Sequence, residues 1–106
     1  MKVNQIVVLE LRSGKSIICK LEDVGETKLR VSNPMVIYAT QDNKLGFIPC
    51  VYTEPKKMEC TIHMQSVDYD YVPEKGISEA YAGYVKQLTS NIIQLDQSVQ
   101  PVQLNG

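Results

Sequence analysis

A chain of 106 residues with 11 Lys and Arg against 12 Asp and Glu has a formal net charge of -1, so no global field draws it onto nucleic acid or an anionic membrane, and a basic site must be local or assembled from several copies. One domain of this size buries only about 60 to 70% of its unfolded surface, so association would stabilise it. No run approaches the roughly 20 apolar residues that span a bilayer, and the start MKVNQIVVLELRSG is too charged and too short in its apolar core for a signal peptide, which predicts an intracellular, cytoplasmic chain.

The stretch from Val7 to Ala39 predicts three consecutive antiparallel strands. Val7, Leu9 and Leu11 alternate with Glu10 and Arg12; past a Ser13-Gly14 turn, Ile17, Cys19 and Leu21 alternate with Lys20 and Glu22; past Gly25-Glu26, Leu29 and Val31 alternate with Lys28 and Arg30. Period two means half-buried strand. Asn33-Pro34 bends the third strand and Met35 to Thr40 resumes the alternation. A polar connection at Gln41 to Gly46 leads to a strand at Phe47 to Thr53, and a turn at Glu54 to Lys57 leads to another at Met58 to His63. In Val67 to Val72, strict alternation puts Val67, Tyr69 and Tyr71 on one face and Asp68 and Asp70 on the other, before Pro73 ends the sheet.

From Ile77 the period changes. Ile77, Tyr81, Tyr84, Val85, Leu88, Ile92 and Leu95 recur at helical spacing, over a second face of mostly Gln, Ser, Thr and Asn. Such a helix would dock on the sheet or on a neighbouring subunit. The fold expected is mainly β, a small antiparallel barrel of the SH3 or OB type over residues 1–73, a C-terminal helix over 74–95 and a flexible tail over 96–106. A meander with one wet face must wrap its dry face around itself.

Residues able to do chemistry are few. Cys19, Cys50 and Cys60 lack C-x-x-C spacing and lie in apolar alternation, as packed reduced thiols do. A zinc site would need all three together with His63, the single histidine. Cys50 with His63 as a thiolate pair, or Asp68 with Asp70 as paired carboxylates, has no orienting partner in the sequence. No enzymatic activity, metal or other cofactor is expected. Six tyrosines with no Trp and one Phe are a skewed aromatic choice, suited to core packing, a subunit interface or stacking on single-stranded bases.

The bent meander with Ser13-Gly14 in its first hairpin, then Leu29 and Val31, then Ile62-His63-Met64-Gln65-Ser66-Val67, resembles the Sm and Sm-like proteins. It is most similar to the short Sm-like proteins of marine phages, through Asn33-Pro34-Met35 and the passage from Pro73-Glu74 into the helix. The likeness covers about residues 5–72, plus the helix in the phage group. It implies a strongly bent, five-stranded, Sm-like barrel that assembles into a ring by pairing its last two strands, with single-stranded RNA bound at the pore by most members. It also implies a phage-infected bacterial host as the setting. The chain departs from both family motifs. Asp23 is present, but Thr27-Lys28 stand where an apolar residue and a base-reading Asn are usual, and His63, Met64 and Gln65 replace the Arg, Gly and Asn of the second motif.

Under that resemblance a ring turns one lysine per subunit into a circle of lysines. Lys28 and His63 are then expected at phosphates or bases, Gln65 at a base edge, and Tyr38 or Tyr69 in stacking. Met58, Ile62, Val67, Tyr69 and Tyr71 are expected at the subunit interface, where the Val67 to Val72 strand pairs with the Met58 to His63 strand of the next copy. The expected assembly is a homo-oligomer of five to seven copies, five being favoured, that binds single-stranded RNA in a chaperone or processing role. The alternative is a structural or protein-interaction ring of phage origin whose helix or tail binds protein, and a third reading is a monomeric SH3-like adaptor.

Overall fold

A computed structural model describes residues 1–50 and 58–98, with side chains through residue 88. The elements in order are β1 (Ile6–Leu11), β2 (Ser16–Val24), β3 (Lys28–Ala39), β4 (Leu45–Pro49), β5 (Glu59–His63), a single 3-10 turn (Met64–Ser66), β6 (Val67–Tyr71) and α1 (Lys75–Ser98). Gly14, at φ 94°, closes the β1–β2 turn by donating its N–H to the Leu11 carbonyl at 2.9 Å. A side chain would strain that backbone, which is why glycine sits there. The helix runs three residues past its expected end. The expected strand end at residues 51–53, the turn at 54–57 and the tail beyond residue 98 lie outside the described residues.

The expected third strand and the segment after Pro34 form one continuous β3 of 12 residues. Asn33 takes φ 49°, a left-handed conformation that its short polar side chain tolerates, so the strand bends without ending. β4 pairs with the far half of β3, from Met35 opposite Pro49 to Ala39 opposite Leu45, and β5 pairs with the near half, from Lys28 opposite His63 to Ser32 opposite Glu59. At the bend, Cys50 donates its N–H to the Pro34 carbonyl at 2.8 Å and Asn33 donates to the Met58 carbonyl at 2.6 Å. Thus β4 and β5 lie end to end along one edge of β3, and the chain leaves and rejoins that edge opposite the bend.

The sheet is antiparallel, in the order β4-β3-β2-β1-β6, with β5 also on β3. It is open, which corrects the expected closed barrel. The 3-10 turn carries the chain from β5 to the far side of the sheet, where β6 pairs with β1. No ladder joins β6 to β4 or β5 among the described residues, so two strand edges stay open.

The two faces of the sheet carry separate cores. Val7, Leu9, Ile17, Cys19, Leu21, Leu29 and Val31 fill the inner one, with Cys60, Ile62 and Val67 packed against it. On the outer face, Val8, Ile18 and Met35 pack with Tyr81, and Ile37, Phe47, Ile77, Val85 and Leu88 join them. The expectation of one dry and one wet face is thereby corrected: α1 covers part of the outer face, and its stripe of apolar residues requires Val8 and Ile18 beneath it. Tyr81 locks this contact. Its ring meets Phe47 edge to face at 6.3 Å, and its hydroxyl reaches the carbonyls of Asn33 at 2.8 Å and Ser32 at 3.3 Å.

The faces of β6 also differ from expectation. Leu11 lies opposite Val67 and Glu10 opposite Tyr69, so Asp68 is an extra, bulged residue. The phase of the alternation changes there. Val67 points into the inner core, whereas Tyr69 and Tyr71 share the outer face with their partners Glu10 and Val8.

Cys19 is wholly buried in the inner core, and burial, with smaller contributions from Cys60 and Cys50, pushes its thiol up to about 12. An unfolded thiol titrates near 8.5, so the protonated form favoured by the fold stabilises it fully below that value and progressively less as pH rises towards about 12. Urea melts should therefore show stability falling between pH 9 and about 12. Cys19→Val should flatten that fall. It should not abolish it, because burial also raises the Tyr81 phenol. Equal slopes for parent and variant would remove Cys19 as a cause.

Candidate nucleic-acid interface

The β2–β3 turn and the 3-10 turn between β5 and β6 meet at one rim of the sheet. Met64 donates its N–H to the Thr27 carbonyl at 2.9 Å, and Lys28 stands directly opposite His63 in the ladder. Side chains of directly opposed residues project together from the same face, about 5 Å apart at Cβ. Gln65 follows in the 3-10 turn, and all three side chains are exposed. Arg30, one strand period from Lys28, lies on the same face, opposite Thr61. Asp23 is the β2 partner of Arg30, and Glu26 is in the turn itself. The rim is thus polar, with Lys28, Arg30 and His63 set against two carboxylates.

Tyr38 is not at this rim. It lies at the opposite end of β3, ten residues from Lys28 and roughly 30 Å away along the strand. Its ring covers Gly46, its partner on β4, so closely that a Cβ at Gly46 would collide with the ring. Tyr69 is also elsewhere, stacked on Tyr71 with ring centroids 6.2 Å apart on the outer face of β6. The five residues expected to touch RNA therefore divide into Lys28, His63 and Gln65 at one rim and two tyrosines outside it.

The expected interface residues divide as well. Met58 is buried within the chain. Ile62 and Val67 are half-buried against the inner core, and Tyr69 and Tyr71 are exposed on the outer face. Burial first, then the hydrogen bond that Tyr71 donates to the Glu10 carboxylate at 3.0 Å, raises the Tyr71 phenol above its ordinary value. Glu10 also accepts from the Ser16 hydroxyl at 2.6 Å. Sequence reading did not single out this Glu10, Ser16 and Tyr71 group. Half of it was within reach, because the Ser13-Gly14 turn sets Glu10 opposite Ser16.

The pairings weighed for catalysis are taken apart by the fold. Cys50 follows β4 beside Pro34, whereas His63 ends β5 opposite Lys28, six residues along β3 from that proline. Asp68 is drawn to Arg12 at 3.6 Å, an exposed pair worth little to stability, and Asp70 lies across from Leu9 beyond the bulge. Among the described residues no group of three or more His, Cys, Asp or Glu is placed to hold a metal ion. No described helix is long and apolar enough to cross a membrane. No protein-family model matches the chain, and no curated protein does either.

Proposed function

We propose that this chain is an Sm-like, ring-forming protein that binds single-stranded RNA without doing chemistry on it, in a chaperone or processing role. The observation that carries the reading is the joining of the β2–β3 turn to the β5–β6 turn, with Lys28 opposite His63 and Gln65 beside them. In a ring these turns would converge from every copy and multiply a weak local charge. The sheet supports the same reading. Since β4 and β5 share one place beside β3, six strands fill five places. The open edges of β5 and β6 favour pairing with neighbouring copies, because unpaired edge N–H and C=O groups are ordinarily covered or paired.

A ring that binds protein instead of RNA is the second reading, and Asp23 and Glu26 at the rim favour it. Native mass spectrometry and fluorescence anisotropy test the two steps separately. The expected native species is a homo-oligomer of five to seven copies, five favoured; a mass near 11.9 kDa at micromolar concentration would sink the ring. The intact ring should bind labelled oligo(U) or oligo(A) at low salt in preference to duplex, because stacking and base-edge contacts need unpaired bases. No binding by an intact ring would give the case to the protein-binding reading.

A further inference from the structure

We propose that β4 is a docking edge for a second copy of this chain, the two β4 strands pairing antiparallel about a two-fold axis at Phe47. β4 pairs with β3 along one side, and among the described residues no strand pairs with its other side. Ring closure through β5 and β6 would leave that edge unused. Edge strands are ordinarily blunted by charged side chains or by proline. β4, with the sequence LGFIP, carries no charge and has its proline only at the last position. Leu45 shares the outer face with Phe47, whereas Tyr38 and Ile48 lie on the inner one. Tyr38, Leu45 and Ile48 remain 43%, 46% and 42% exposed, so apolar surface frames the edge on both faces of the sheet.

The hairpin's own hydrogen bonds decide which groups are left for a partner. Thr40 donates its N–H to the Lys44 carbonyl at 2.7 Å, and Cys50 donates to the Pro34 carbonyl at 2.8 Å. Bonded residues alternate along an antiparallel ladder, so Lys44, Gly46, Ile48 and Cys50 turn their backbone groups to β3, and Leu45, Phe47 and Pro49 turn theirs outwards. About a two-fold axis at Phe47 these outward groups match. Phe47 exchanges both bonds with Phe47 of the second copy, and Leu45 of each copy donates to the Pro49 carbonyl of the other, where the missing proline N–H ends the ladder. Side chains choose this register. On the inner face it sets Ile48 of one copy opposite Gly46 of the other, where the Tyr38 ring stands in place of a glycine side chain and offers an apolar surface to pack against. A shift of the axis to Gly46 would set Ile48 against Lys44 instead. An edge that is its own complement under a two-fold axis selects a second copy as its occupant.

This contact is independent of ring closure and of RNA at the Lys28 rim: rings would pair through it, and single chains would form dimers. At five residues a side it is well short of the roughly 20 to 30 of a stable interface, so it should fill only in the roughly hundred-micromolar range. Sedimentation velocity should show the species present at micromolar concentration doubling in mass as concentration rises through that range. Leu45→Lys and Ile48→Lys, both at exposed positions, should each abolish the doubling, because a solvated charge blunts an edge strand. Lys28→Glu at the distant rim should leave it intact. Hydrogen exchange read by mass spectrometry localises the contact: the Phe47 amide, which turns away from β3, should exchange at least about tenfold more slowly in the doubled species than at micromolar concentration. The proposal is overturned by a mass that does not double, by doubling that survives either lysine variant, or by Phe47 exchange indifferent to concentration.

Discussion

Replacing Tyr81 with alanine is expected to destabilise the fold by about 3 to 5 kcal/mol, the range for truncating a large buried aromatic side chain. Tyr81 is 2% exposed, and three interactions converge on it: apolar packing on Val8, Ile18 and Met35, the edge of the Phe47 ring, and the hydroxyl bond to the Asn33 carbonyl. That last bond satisfies the carbonyl of the left-handed Asn33, which would otherwise lack this donor under the helix. Tyr81→Phe separates the two contributions. It keeps the ring and should cost about 1 to 2 kcal/mol, the value of one buried hydrogen bond with its stranded acceptor. In a domain of this size the alanine variant should melt more than about 12 °C below the parent. A circular dichroism melt of Tyr81→Ala within two degrees of the parent, taken as a rough threshold, would show that α1 does not stabilise the sheet.

Lys28→Glu is expected to reduce binding of oligo(U) at low salt by more than about tenfold, because reversing one charge per subunit reverses a whole circle of charge in a ring. Lys28→Ala should act more mildly and reveal its cause through salt. For a single strand, each phosphate-binding cation removed should flatten the plot of log affinity against log salt by about 0.7, and the variant removes one from every copy that touches the strand. The native mass of both variants should match the parent, since the Lys28 side chain is exposed and its backbone keeps its place opposite His63. Lys86→Glu, on the exposed side of α1, is the control and should change neither mass nor affinity. Binding that survives Lys28→Glu would place the RNA site away from this rim.

The strands of the first hairpin, the two turns around them and the helix were legible in the amino-acid order, because they depend on local regularities: side-chain alternation, glycine where φ is positive, and apolar residues at helical spacing. The Lys28 and His63 rim was expected only through the resemblance to Sm-like proteins, and it takes the β3–β5 ladder, a pairing of distant segments, to set the two residues opposite each other. Other features exist only in three dimensions. The bend at Asn33-Pro34 and the resumed alternation from Met35 were legible as well, but nothing in the sequence shows that β4 and β5 share one edge of that strand, because hydrogen bonds between distant segments settle it. Alternation along β6 put Val67 and Tyr69 on the same face. The bulge at Asp68 separates them, and a bulge depends on the register against β1, which the period within β6 does not encode. Ile37 and Tyr71 are 34 residues apart in the chain and line one groove only because the sheet brings the ends of β3 and β6 to the same face.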